Sequence, residues 1–212
     1  QSAWGFSFAN SRPWFCHAVM RISGGQARGI PLVTPKGDAT RPATDGMRQA
    51  VFSSLGARVE GTRFLDLFAG SGAYGLEALS RGASCGVWVE KNGRTAGCIK
   101  KNMTAVGKSL GRDLRDSTVV TADALTLPWS KPDLPDLVFI DPPYDLISEV
   151  ADHLFAGLSE FLKSQDDPLI IFEMPGETRS PRCAIVNPDS RNISRSLDAQ
   201  PRSAPSATTM EV

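Results

Sequence analysis

The sequence is short of the residues that build metal centres and disulfide frameworks. Its 212 residues include two histidines and four cysteines (Cys16, Cys85, Cys98 and Cys183), and no two cysteines form a C-x-x-C pair. Zinc sites draw on clusters of these residues, so no metal site is expected. Scattered cysteines without an export signal read as reduced thiols. Long apolar runs are missing too. None approaches the roughly 18–20 residues that span a bilayer, so no membrane span is expected. The first twenty residues, QSAWGFSFANSRPWFCHAVM, show neither a basic leader nor a continuous apolar stretch, which points to the cytoplasm. Net charge is the last absence, since 23 basic and 23 acidic side chains cancel.

That cancellation hides an uneven distribution. Residues 1–60 hold seven basic and three acidic groups, residues 61–160 ten and thirteen, and residues 161–212 six and seven. A basic front section on a mildly acidic body suits an arm that meets a polyanion.

From residue 62 onward, short apolar runs alternate with longer amphipathic segments. Strands are predicted at 63–68, 86–90, 117–122, 136–140 and 168–173. They are almost continuously apolar, as strands buried on both faces of a parallel sheet must be. Helices are predicted at 73–82, 93–107 and 146–163, with Ile99, Met103 and Val106 on one stripe and Val150, Leu154, Leu158 and Leu162 on another. The alternation predicts an α/β fold, a doubly wound and mostly parallel sheet.

The flanks differ. Residues 20–36 mix β-formers with Gly and Pro and suggest a small hairpin, after which Thr44 could cap a helix over 45–58. Residues 1–19 form an unpatterned extension. Residues 177–212 contain no aromatic side chain and are rich in Ser, Pro and Arg, so they read as a disordered or aberrant tail. The resulting division is 1–19 extension, 20–60 basic N-terminal module, 61–176 α/β domain and 177–212 tail.

Two motifs carry chemistry. In FLDLFAGSGAYGLEAL (64–79), Gly70, Gly72 and Gly75 form G-x-G-x-x-G between a predicted strand and a predicted helix. Glu90 follows Gly70 by twenty residues, at the end of the next strand. Glycines there let a cofactor approach the backbone, and the acid can accept from a ribose diol. This motif alone does not separate a nicotinamide cofactor from S-adenosylmethionine. The second does. DLVFIDPPY (136–144) is a buried strand running into Asp141, Pro142, Pro143 and Tyr144. An amino group on a nucleobase is a poor nucleophile, because its lone pair is delocalised into the ring. Asp141 and the Pro142 carbonyl could accept its N–H bonds and aim the lone pair at a methyl donor. Tyr144 offers a face on which an extruded base can stack.

These two motifs together resemble the amino-group S-adenosylmethionine methyltransferases with a DPPY signature. The segment RISGGQARGIPLVTPKGDATRPATDGMRQAVFSSL (21–55) narrows the resemblance to the bacterial RsmD family, over about residues 20–176. The resemblance implies a Rossmann-like S-adenosylmethionine-dependent methyltransferase, a soluble monomer acting on the exocyclic N2 of a guanine (by resemblance guanine 966) in 16S rRNA or a small-subunit assembly intermediate. It implies that Asp66, Gly70, Ser71 and Gly72 border the amino-acid end of the cofactor. Glu90 would hold its ribose, and Asp123 with Ala124 its adenine. Asp141, Pro142, Pro143 and Tyr144 would hold the guanine, while Arg21, Arg28, Lys36 and Arg41 would contact RNA phosphates, making 20–60 an RNA-binding module. Asn102 fits the family's helix after the acid.

The sequence departs from that pattern at Gly46, where similar sequences place Arg, and at Gln49, where they place Glu. The family's closing antiparallel hairpin is not legible after FEMPGE (172–177), so it is expected to be missing, leaving 168–173 as an unprotected edge. Two alternatives stand beside the main reading: an adenine-N6 DNA methyltransferase, and a catalytically impaired RNA-binding assembly factor with the same fold.

Overall fold

Five apolar runs become five parallel strands. A computed structural model describes residues 20–34, 42–127, 134–143, 146–174, 182–186 and 193–198. The parallel strands are β1 (Arg63–Leu67), β2 (Cys85–Val89), β3 (Thr118–Val120), β4 (Leu137–Ile140) and β5 (Leu169–Met174). They lie in the order β3-β2-β1-β4-β5. The chain therefore builds outward in one direction from β1 and then restarts on its other side with β4. Between those two strands the order reverses, and in open α/β sheets that crevice is where ligands bind.

Side-chain alternation sends each strand's residues to two cores. Leu137, Phe139, Leu169 and Ile171 enter one core with Met47, Val51, Phe52 and Leu55 of α1 (Pro42–Leu55), Leu76 and Leu79 of α2 (Ala73–Ser80), and Ile99 and Val106 of α3 (Gly93–Leu110). Val138, Ile140, Ile170 and Phe172 enter the other with Leu154, Leu158 and Leu162 of α4 (Ile147–Leu162). Each such side chain contributes about 1.5–3 kcal/mol on burial. The doubly wound architecture is thus as expected.

α1 begins at Pro42, so Thr44 lies inside the helix and is not its cap. A proline at the first helical position gives up an N–H that would be unpaired there anyway. The helix runs on into a 3-10 turn over Gly56–Val59.

The hairpin judged missing is present. β6 (Arg182–Val186) pairs antiparallel with β5, and β7 (Ile193–Asp198) pairs antiparallel with β6, giving seven strands among the described residues. β5 is therefore paired on both sides. Composition averaged over 177–212 concealed the β-forming run Cys183-Ala184-Ile185-Val186. A hairpin added to an existing edge draws much of its stability from ladder hydrogen bonds, which composition does not register.

The N-terminal hairpin, bridged at Arg21 and Pro31, shares the first core through Ile22, Ala27 and Leu32. Its attachment to α2 is polar and buried. Glu77, fully buried, accepts from the Ser23 amide (2.7 Å) and hydroxyl (2.8 Å) and from Arg81 (2.9 Å). Arg48, 1% exposed, pairs with Glu77 at 3.3 Å, reaches Asp45 at 2.9 Å and donates to the Arg21 carbonyl at 2.6 Å. Ser80 donates to the Gly24 carbonyl and accepts from the Ala27 amide. Buried charges persist only when satisfied in this way.

Candidate active site

The glycine loop starts where β1 ends, and the Asp141-Pro142-Pro143 segment starts where β4 ends. The register pairs Leu67 with Ile140, so Phe68 and Asp141 leave the sheet side by side. Phe68 has φ 59°, a left-handed backbone that a bulky residue adopts only under constraint. Gly70 (φ 53°) and Gly72 (φ 80°) continue the turn, and α2 begins at Ala73.

The glycines serve different ends. A Cβ on Gly72 would lie 2.9 Å from Ile99 and 3.2 Å from the Trp88 indole nitrogen, and one on Gly75 only 2.4 Å from Phe64 and Trp88. Those two glycines let the loop and α2 settle onto Trp88, which is fully buried, packs edge-on to Phe64 at 4.9 Å and donates to the Gly72 carbonyl. At Gly70 the nearest atom to such a Cβ is the Phe68 carbonyl oxygen, 4.0 Å away, so the loop is open there. An open, left-handed backbone beside a carboxylate is what a nucleoside cofactor needs.

That carboxylate is Glu90. It accepts from the Gly70 amide at 2.9 Å and from the Asn92 amide at 2.7 Å, one bond per oxygen. Each oxygen keeps further acceptor capacity, so the carboxylate fits the hydroxyl donors of a ribose diol. Asp66, 2% exposed, accepts from the Gly75 amide at 3.0 Å. Burial pushes its carboxyl well above the usual range, the Gly75 N–H opposes this, and the charges of Asp141 and Glu90 add to the rise. Asp123 follows β3, accepts from Lys91 at 2.7 Å and from the Leu125 amide at 3.1 Å. Lys91 chiefly, with the Leu125 amide, holds that carboxyl below its ordinary range, so it is ionised at neutral pH. Ala124 is buried beside it.

Asp141 is partly exposed, Pro142 buried and Pro143 exposed. Desolvation first, then the charge of Glu173, pushes the Asp141 carboxyl up to about 8. Asp66, Gly70, Ser71, Gly72, Glu90, Asp123, Ala124, Asp141, Pro142 and Pro143 thus all stand at or just beyond the carboxyl ends of β1 to β4. Arg21 is exposed and braces the N-terminal hairpin through the Gly29 carbonyl at 3.0 Å, and Arg28 is exposed on the same hairpin. Tyr144, Lys36 and Arg41 lie outside the described residues.

Three features were not read from the sequence. The strained Phe68 has no sequence signal. The second is the bridging role of Asn102, which the resemblance placed only on its helix. Asn102, 1% exposed, accepts from the Val33 amide at 2.7 Å and donates to the carbonyls of Val33 (3.0 Å) and Ser71 (2.9 Å). One side chain therefore ties the N-terminal hairpin to the glycine loop. The third, Glu173, is buried at the end of β5 and accepts from the Tyr74 hydroxyl at 2.9 Å. Its signal was available: like Asp66, Glu90 and Asp141, it is an acid at the carboxyl end of an apolar strand.

Comparison with known proteins finds a family and several relatives. The family model described as "Conserved hypothetical protein 95" matches residues 20–187. "Putative rRNA methyltransferase YlbH" of Bacillus subtilis (strain 168) is 30% identical over 162 residues, which cover 76% of this chain and 86% of that protein. "Ribosomal RNA small subunit methyltransferase D" of Escherichia coli (strain K12) is 36% identical over 125 residues, 59% of this chain and 60% of that protein. Among solved structures, a hypothetical protein of Thermus thermophilus aligns with a TM-score of 0.61 at 30% identity, covering 80% of this chain and 99% of that one.

Proposed function

Since the chain belongs to the family described as conserved hypothetical protein 95, the RsmD family of methyltransferases, we propose that it methylates the exocyclic N2 of a guanine in 16S rRNA. The observation that carries this reading is the shared departure of the glycine loop and the Asp141-Pro142-Pro143 segment from paired ends of β1 and β4. A cofactor seated on Gly70 and a base held at Asp141 then meet across one crevice. The cofactor is S-adenosylmethionine, which supplies an electrophilic methyl group when bound. Glu90 would hold its ribose hydroxyls, the charged Asp123 its adenine amino group, and the amides around Gly70 and Gly72 its amino-acid end.

For the target base, Asp141 and the Pro142 carbonyl would accept the two amino protons. That draws the lone pair out of the ring and points it at the methyl donor, and positioning of this kind supplies most of the rate. As the N–C bond forms, the amino group becomes acidic and gives a proton to the Asp141 carboxylate. A carboxyl that titrates near 8 is well matched to receiving a proton near neutral pH. Base edges in paired RNA are hard to reach, so the guanine is taken from a loop and extruded, with Tyr144 as its stacking partner. Arg21, Arg28, Lys36 and Arg41 would hold the surrounding phosphates, which fix register without reading sequence.

The test is transfer of labelled methyl from S-adenosylmethionine into small-subunit particles that lack the modification, followed by nucleoside analysis. N2-methylguanosine in 16S rRNA is expected. Asp141→Asn should lose about 10²–10⁴ in rate while the cofactor still raises the melting temperature. Label appearing instead as N6-methyladenosine in DNA, or none from folded protein that binds the cofactor, would overturn the reading.

A further inference from the structure

Glu173 is a buried acid with no part in holding cofactor or base as described above. The register places it on Asp141. β4 and β5 pair Phe139 with Ile171 and Ile140 with Phe172, so the next residues on each strand are Asp141 and Glu173. Alternation turns both to the face of Phe139 and Ile171, where Tyr74 stacks on Phe139 with ring centroids 5.2 Å apart. Tyr74 reaches past that ring to donate its hydroxyl to Glu173 at 2.9 Å, fixing one carboxyl oxygen. Arg48 of α1 lies near enough to favour the charged form, yet its guanidinium is already committed to Glu77, Asp45 and the Arg21 carbonyl. Two acids at neighbouring strand ends, 3% exposure at one of them and a buried tyrosine donor make a costly arrangement for mere packing.

We propose that Glu173 is a positioning residue for methyl transfer, a second carboxylate whose charge beside Asp141 makes the pair an acceptor for the proton released from the target amino group. The role rests on the function proposed above. The step balances. The sulfonium carbon–sulfur bond breaks with its electrons going to sulfur, the nitrogen–carbon bond forms, and the amino proton passes to Asp141 and is retained within the pair. The charged and titratable groups that act on this pair among the described residues are Asp66 of β1, Tyr74 of α2 and Arg48 of α1, the last paired with Glu77 of α2, with Glu90, just beyond β2, acting on Asp66. Like charges in one desolvated site raise each other's proton affinity, and the two titrate as a unit.

The test is carbon-13 NMR titration of carboxyl-labelled protein without substrate, with Asp141 assigned by its loss in Asp141→Asn. Glu173→Gln keeps an acceptor for Tyr74 but removes the charge, so the Asp141 midpoint should fall by about one pH unit or more. Tyr74→Phe, which leaves Glu173 in place, should lower the Asp141 midpoint and raise that of Glu173, and it carries the test if Glu173→Gln does not fold. In methylation assays the rising limb of kcat against pH should move down with the Asp141 midpoint in Glu173→Gln, with KM for S-adenosylmethionine unchanged. Midpoints that coincide in wild type and a folded variant overturn the inference, whatever the activity. A wild type that shows the predicted coupling but methylates no 16S rRNA overturns the functional reading and leaves the carboxyl pair standing.

Discussion

Gly72 shows what a single residue contributes at this site. Its left-handed φ of 80° is one that side chains rarely adopt, and any Cβ would press on Ile99 and Trp88. Gly72→Ala should therefore destabilise the protein by about 1–3 kcal/mol, measured by urea unfolding. It should also abolish the rise in melting temperature that the cofactor produces. Gly70 has a similar backbone (φ 53°) but open surroundings, so its residue identity matters for what enters the cleft more than for packing. The sequence marks both positions only as glycines. Which one is a packing constraint and which borders the cleft depends on Trp88, sixteen residues away in the chain but under the loop in the fold.

At the scale of elements, Asn102 of α3 joins the N-terminal hairpin to the glycine loop. Removing its amide in Asn102→Ala strands the Val33 and Ser71 backbone groups, at a cost of about 1–3 kcal/mol. Hydrogen exchange should then speed up in residues 20–34 and 70–72 together, with little change in β4 and β5. Faster exchange in only one of the two segments would show that Asn102 does not couple them. The C-terminal hairpin is the other element-scale case. Amides of β6 should be protected by their two partners, and ending the chain after residue 180 should expose the edge of β5 and promote aggregation, read by light scattering. The helices and parallel strands were legible because their apolar periods repeat along the sequence. The hairpin was not, because pairing to an existing edge leaves so short a trace.

Across the whole molecule, Asp66, Asp141 and Glu173 gather at one end of the sheet, and burial raises all three carboxyls above their unfolded values. Below about pH 3 the three are largely protonated in both folded and unfolded chains and cost little. As pH rises toward 8 the unfolded chain releases these protons while the folded one resists, so stability is lost across that window. Asp113 and Asp123, held low first by Arg115 and Lys91 respectively, act oppositely, but their contribution is lost only at more acid pH. The melting temperature of the cofactor-free protein should therefore fall between pH 6 and pH 8. Asp141→Asn should flatten that slope and be the more stable form at pH 8. A wild-type profile that rises over the same interval would contradict the clustering.

The sequence by itself determined the doubly wound sheet, the glycine loop, the acids at strand ends and the DPPY segment, because each is written in local period or spacing. Only the tertiary structure decided how these parts meet. It brought Glu173 to Asp141 by strand register, bound the basic hairpin to α1 and α2 through the buried Arg48 and Glu77, and closed the β5 edge with residues that composition had set aside. Contacts between residues far apart in the chain leave no periodic mark. The neutral charge total likewise concealed a buried acidic cluster, whose energetics follow from desolvation and proximity, not from composition.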